Sequence, residues 1–324
     1  MVRLGHKALR ARRREVILVI QTILDRAVAL ARPAAEQGAP ASYIPELAKT
    51  DPRQLGACIF TLDGGRFSSG DTQVRFSIQS ISKVISLAVA LERCGYETVF
   101  NQVGMEPSGD PFNSLVRLES SESHPSNPMI NSGAIAVDSY LEPVISFEEM
   151  LSFTRELCLD PEIRLDERVY RSEMSNISRN RAIAYLLENK GVIQSDVERT
   201  LDFYVKMCSL SVTAESLAGF GLLLANGGVN PSTGVRLLQA ETVQVVKTIM
   251  LTCGMYNGSG GFAVRVGIPS KSGVGGGILS VADRKMGIGI FGPSLDQKGN
   301  SVAGEQVLEY LSTHLRLHIF AGAG

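Results

Sequence analysis

The spacing of apolar residues changes period along the chain, and the changes predict an early hairpin, a long helical middle and a late group of strands. Behind a basic stretch from Arg3 to Arg14, the residues Ile17, Ile20, Ile23, Leu24 and Ala27 keep helical phase. A charged and then apolar order is also that of an export signal. Gln21, Asp25 and Arg26 interrupt the apolar run, however, so an amphipathic helix that stays on the protein is the expectation. A polar, proline-bearing link over 31–41 follows, which sets residues 1–40 apart from a main domain over 41–324. The runs Gly56–Leu62 and Arg66–Ser68 flank Asp63-Gly64-Gly65, a strong hairpin signal. Directly afterwards Ile81, Val84, Ile85, Ala88, Val89 and Leu91 recur at helical spacing, which predicts a buried helix opening near Ser80. The middle of the chain reads mainly as helices, clearest over 147–157, 180–187, 196–207 and 214–225, with Asn226-Gly227-Gly228 closing the last. After Tyr256 the short β-prone runs Phe262–Val266, Gly277–Val281 and Met286–Phe291 read as strands, and 302–317 as a closing amphipathic helix.

These elements predict a mixed α/β chain of the α+β kind. One mainly antiparallel sheet is built from both ends of the chain, about 54–76 and 260–324. Helices flank it, and a helical second lobe spans about 77–259. A pocket is expected in the cleft between the lobes.

At 324 residues the chain can bury a large core. Hydrophobic content of 44% with 20% charged residues is that of an ordinary globular protein, and a formal charge of −1 argues against a nucleic-acid partner. No stretch is long and apolar enough to span a membrane. Five cysteines without a C-x-x-C pair suggest reduced thiols in a cytoplasmic setting. The four histidines form no zinc-like cluster, and His314 with His318, one turn apart, reads as a surface pair, so metal-free chemistry is expected. Gly287-x-Gly289-x-x-Gly292 fits a dinucleotide-binding pattern, but Pro293 and a polar turn follow where a helix must open. Glycines inside a strand explain it better.

The candidate chemistry lies at Ser80 and Lys83. Three residues apart is one helical turn, so hydroxyl and amine share a face. A serine hydroxyl needs a base to take its proton, and a lysine serves only if its pKa falls towards neutrality. Burial and the positive end of a helix dipole both lower it. Alone, Ser-x-x-Lys also fits a helix-capping serine with a surface lysine. A second pattern, Lys271-Ser272-Gly273, stands at the start of a late strand. In that order and on those elements the two resemble the acyl-transferring serine hydrolases of the β-lactamase and penicillin-binding-protein fold, although no clear Ser-Asp-Asn equivalent is present.

Longer segments narrow the resemblance. Ser42 to Ala48, Gln79-Ser80-x-x-Lys83, Asn127 to Ile135, Ser172-Glu173 with Arg179-Asn180, Leu201 to Tyr204, Leu224 to Gly228, Met255-Tyr256 and Lys271 to Val274 closely resemble the glutaminase family of serine-dependent, β-lactamase-like amidohydrolases. The resemblance runs from about Tyr43 to beyond Asn300. It implies a β-lactamase/transpeptidase-like fold and hydrolysis of L-glutamine to L-glutamate and ammonia, without a cofactor, in a homodimer or homotetramer. It makes Ser80 the nucleophile, Lys83 its base and Tyr256 a proton shuttle, with the backbone N–H groups of Ser80 and Val274 as the oxyanion hole. Glu173, Asn131, Asn180, Tyr204 and Tyr43 would hold the amino-acid end of the substrate. For Lys271 two roles stay open, electrostatic support of the Ser80 chemistry or a tie between strand and helix. Two rival readings are a β-lactam-reactive enzyme on the same fold and a glutamine-binding module without turnover.

Overall fold

The computed structural model describes residues 18–109, 111–114 and 124–322. Its strands are β1 Gly56–Thr61, β2 Arg66–Gly70, β3 Phe76–Ser77, β4 Arg164–Leu165, β5 Leu210–Val212, β6 Ser270–Ser272, β7 Gly277–Ala282 and β8 Met286–Phe291. The helices are α1 over 18–31, α2 Ser82–Arg93, α3 Tyr96–Phe100, α4 Asn131–Leu141, α5 Phe147–Cys158, α6 Glu167–Met174, α7 Ser178–Asn189, α8 Val197–Cys208, α9 Ala214–Ala225, α10 Ala240–Cys253, α11 Ser259–Arg265 and α12 Val302–His314. Several open where a side chain can take the first free N–H groups. Ser146 and Glu149 form a capping box for α5, and the Asp196 carboxylate accepts from Arg199 N–H at the start of α8.

The main sheet is antiparallel with strand order β2-β1-β8-β7-β6. The hairpin pairs Gly56 with Gly70 through Phe60 with Arg66, and β1 then pairs along β8, Gly56 with Phe291 through Thr61 with Met286. The two ends of the chain therefore meet inside one sheet. A smaller sheet, β3-β5-β4, stands at the entrance to α2.

Both faces of the main sheet are covered, which is why β1 reads as a nearly continuous apolar run. Cys58 and Phe60 face the helical middle, where α2, α4 and α9 share their core. Ala57 and Ile59 face a layer made by Leu24, Ala27 and Val28 of α1 and Val307, Leu308 and Leu311 of α12. The N-terminal helix thus belongs to the outer layer of the sheet, and the link after it holds a short 3-10 turn, Arg32–Gln37, with Ala34 and Ala35 buried. Of the N-terminal segment read from the sequence, residues 1–17 lie outside the described residues.

The glycines of β8 have a packing reason. A Cβ on Gly287 would lie 2.0 Å from the backbone nitrogen of Leu222, and one on Gly289 would lie 2.0 Å from the carbonyl of Ala214. Helix α9 rests directly on the strand there, and only a residue without a side chain allows that approach.

One expected strand is a helix. Phe262–Val266 lies largely within α11, and the third late strand is β6, at Lys271. The run satisfies both periods: Phe262 and Val266 are buried, but Val264, which a strand would place beside them, is 79% exposed. Four-residue spacing therefore decided the outcome.

Candidate active site

Phe76 of β3 stacks on Phe291 at the end of β8, ring centroids 4.4 Å apart, and this fixes the chain just before the site. Ser80 sits in a 3-10 turn, Gln79–Ile81, that runs straight into α2, with Lys83 in the first turn of the helix. Ile81, Val84, Ile85 and Ala88 are fully buried and seat the turn against the core. Lys83 Nζ donates to Ser80 Oγ at 2.9 Å and to Asn131 Oδ1 at 2.7 Å, and Asn131 Nδ2 donates to Asn180 Oδ1 at 3.0 Å. Burial lowers the Lys83 pKa from 10.5 to about 8, against the opposing pull of Cys208, Glu173 and Asp138. The amine is thereby brought within reach of a base's task near neutral pH.

Glu173, near the end of α6, is buried and accepts a hydrogen bond from Gln79 Nε2 at 3.2 Å. Burial raises its carboxyl to about 7, while the Gln79 bond and Lys83 hold it down. One residue thus joins the nucleophile's turn to the acidic group. Gln79 has φ +49° and Tyr256 φ +53°. Both lie in the left-handed region that L side chains enter at a cost of roughly 1–3 kcal/mol. Gln79 precedes Ser80 and the Tyr256 hydroxyl meets it, so the strain is concentrated around Ser80.

The strand-to-strand turn from Gly273 to Gly276 presses against the segment that leads to Ser80. A Cβ on Gly273 would stand 2.8 Å from the carbonyl of Ile78, and one on Gly275 would stand 2.3 Å from that of Ser77. This approach sets Val274 beside Ser80, since both meet the Tyr256 hydroxyl. Tyr256 interacts through its hydroxyl with Ser80 and the Val274 N–H, and burial pushes its pKa up. The hydroxyl is enclosed but meets full hydrogen-bond geometry with neither.

The Tyr256 ring lies against Phe112, centroids 4.9 Å apart, and Lys271 Nζ is 4.3 Å from its centre. Lys271 is fully buried, and its Nζ donates to the carbonyls of Gly254 at 3.2 Å and Ser272 at 2.6 Å. These bonds fit the second of its two open roles, since they tie β6 to the segment that carries Tyr256. Tyr204 of α8 is buried with its ring 6.0 Å from Lys83 Nζ, and its phenol is held high by burial and by neighbouring Cys208 and Glu173. Tyr43 exposes half of its surface, while its phenol faces Tyr256 and Glu173 and is held well above its ordinary value, first by desolvation.

Every residue selected from the sequence is thus gathered around one point. Three further residues in contact with this cluster or electrostatically coupled to it were not selected: Gln79, Phe112 and Asp138. Gln79 stands in the Ser80 motif itself, and its contact with a carboxylate 94 positions away has no local signal. Asp138 carries one, being two helical turns from Asn131 on a buried helix.

A sequence profile described as Glutaminase matches residues 38–320. The chain is similar to glutaminase 2 of Clostridium perfringens (strain 13 / Type A), 52% identical over 289 residues that cover 88% of this chain and 95% of that protein. It is similar also to the glutaminase of Clostridium tetani (strain Massachusetts / E88), 48% identical over 306 residues, 93% of this chain and all of that protein. Among solved structures it is similar to the covalent complex between a Bacillus subtilis glutaminase and 5-oxo-L-norleucine, formed by reaction with 6-diazo-5-oxo-L-norleucine. The TM-score is 0.84 at 38% identity, with 93% of this chain and 99% of that chain covered. With likeness of that extent added to the β-lactamase-like architecture and the gathered side chains, the chain belongs to the glutaminase family.

Proposed function

We propose that the protein hydrolyses the side-chain amide of L-glutamine, giving L-glutamate and ammonia through a γ-glutamyl ester on Ser80. The observation that carries this reading is the buried Lys83 amine hydrogen-bonded to Ser80 at 2.9 Å, with the Glu173 carboxylate enclosed nearby. Lys83 takes the Ser80 proton as Oγ attacks the amide carbon. The backbone N–H groups of Ser80 and Val274 receive the negative charge that develops on the carbonyl oxygen, where donors aimed at the transition state contribute most. Tyr256, in contact with both Ser80 and the Val274 N–H, relays the proton from the Lys83 ammonium to the departing ammonia as the C–N bond breaks, which returns Lys83 to the free amine. Water then cleaves the ester by the same route in reverse.

An α-amino acid presents an ammonium and a carboxylate. Glu173 pairs with the first, while Asn131, Asn180, Tyr204 and Tyr43 supply neutral donors around the second. The enzyme would need no cofactor. The reading extends to a homodimer or homotetramer, which sedimentation would detect, and to the cytoplasm, supported by five free cysteines. Among the described residues no helix is long and apolar enough to cross a membrane.

Ammonia release from L-glutamine, L-asparagine and D-glutamine, with the absorbance change of a chromogenic β-lactam followed beside it, separates the readings. L-Glutamine alone should be turned over rapidly. Preferred opening of the β-lactam would favour the rival enzyme, and tight glutamine binding with no ammonia would favour the binding module.

The same assay run against pH tests the base. Lys83 must be the free amine and Glu173 the carboxylate, so both groups lose function as pH falls. With values of about 8 and about 7, kcat/KM should decline below pH 8 and decline more steeply below pH 7. A profile flat from pH 6 to 8 would contradict these assignments.

A further inference from the structure

Lys83 alternates between amine and ammonium during catalysis, and a buried ammonium is costly unless an opposite charge faces it. The groups around Lys83 come from several elements. Glu173 faces it from α6, Asp138 from α4, Tyr204 and Cys208 from α8 and Lys271 from β6, with Ser80 and Asn131 as its hydrogen-bond partners. Two of these are carboxylates. In the reading above, one of them, Glu173, is taken up by the substrate's α-ammonium once glutamine is bound.

Asp138 is the other, and the reaction as described makes no use of it. It is 2% exposed, and its Oδ1 is enclosed without a hydrogen-bond partner. It sits seven residues, two turns, beyond Asn131 on α4, so both project from the same side of the helix. That side is the one facing Lys83, because Asn131 Oδ1 accepts from Lys83 Nζ at 2.7 Å. Burial raises the Asp138 carboxyl to about 7, while the Ser86 hydroxyl, one turn beyond Lys83 on α2, and the Lys83 amine hold it down, so that it is charged above that pH, where Lys83 works as a base. A carboxylate with one free oxygen, enclosed on the side of α4 that faces a lysine whose other acidic neighbour is claimed by substrate, is costly to retain for packing alone.

We propose that Asp138 is a positioning residue for the reaction, the standing counter-charge that stabilises the Lys83 ammonium after substrate has engaged Glu173. It touches neither the substrate nor the reacting atoms and acts through Lys83. The sign of its effect follows from charge. A nearby anion favours the protonated amine, so removing it lowers the Lys83 pKa and makes the amine a weaker base.

The test is Asp138→Asn, which keeps the shape and removes the charge, followed by kcat and kcat/KM across pH. The acid limb of kcat should move to lower pH by on the order of one unit. Plateau kcat should fall roughly tenfold with KM changed little, because a less basic lysine withdraws the Ser80 proton less well. In free enzyme Glu173 still faces Lys83, so the limb of kcat/KM should move less. Asp138→Glu should restore the wild-type limb. An acid limb of kcat that stays in place in Asp138→Asn overturns the proposal, since a purely structural role changes kcat or stability without moving it.

If Asp138→Asn fails to fold in a thermal melt, Ser86→Ala replaces it. Loss of that hydroxyl should shift the limb in the same direction by a smaller amount, and an unmoved limb there counts equally against the proposal. The inference rests on Lys83 as base and Glu173 as partner of the ammonium. If that reading fails, Lys83→Ala keeps turnover; if only this inference fails, Lys83→Ala is inactive and the Asp138→Asn limb is unshifted.

Discussion

Replacing either Ser80 or Lys83 with alanine should remove nearly all glutamine hydrolysis, on the order of 10⁴-fold to 10⁶-fold in kcat, and the double variant should be scarcely worse than either single one. The expectation comes from geometry. Lys83 Nζ lies 2.9 Å from Ser80 Oγ and both side chains are buried, so the amine is the base placed to take the proton. Without the hydroxyl the amine has nothing to activate, and without the amine the hydroxyl remains protonated. Losses within such a unit do not add. Steady-state kinetics on the three variants checks this, with circular dichroism to confirm folding. Multiplicative losses would mean that the two groups act separately.

The second large effect is expected at the opposite end of the substrate. Glu173→Gln keeps the shape of the side chain and removes its charge. Truncating one partner of a buried charge pair costs about 2 to 5 kcal/mol, which lowers kcat/KM for L-glutamine by roughly thirtyfold to several thousandfold. A glutamine acylated on its α-nitrogen cannot form the pair, so the wild type should process it poorly and the variant should lose little more. The four rates define a coupling energy between Glu173 and the ammonium. A coupling near zero would detach Glu173 from the substrate. The bond from Gln79 Nε2 to Glu173 Oε2 joins residues 94 positions apart, so local sequence around Glu173 carries no sign of it.

Much of the architecture was legible in the order of residues because it rests on period and on turn chemistry. The hairpin at Asp63-Gly64-Gly65, strands β7 and β8 and helices α5, α8 and α9 follow directly from alternation, helical spacing and caps. The exception, Phe262–Val266, satisfies two periods at once, and which of them wins depends on what packs against it. The small sheet of β3, β4 and β5 was not read, since its strands are two or three residues long and below the length at which alternation shows.

The site divides in the same way. The one-turn spacing of Ser80 and Lys83 marks them as candidates, but it also fits a capping serine with a surface lysine, and the second pattern at Lys271-Ser272-Gly273 with the family resemblance is what favours the chemistry. Asn131, Glu173, Asn180, Tyr204 and Val274 came from the family resemblance, as their types are ordinary and their positions scattered. What no pattern shows is distance between elements. The glycines of the Gly273–Gly276 turn illustrate this. In sequence nothing marks what they touch, but in the fold two of them permit a backbone contact with Ser77 and Ile78 that places Val274 beside Ser80.

The account depends most on Ser80 being the atom that becomes acylated. Incubation with 6-diazo-5-oxo-L-norleucine followed by peptide mass spectrometry measures that directly. The wild-type protein should carry one adduct, on the peptide that contains Ser80, with activity lost in step with labelling and with L-glutamine protecting against both. Ser80→Ala should remain unlabelled. An adduct on another residue, such as Cys208, or equal labelling of Ser80→Ala, would contradict the mechanism.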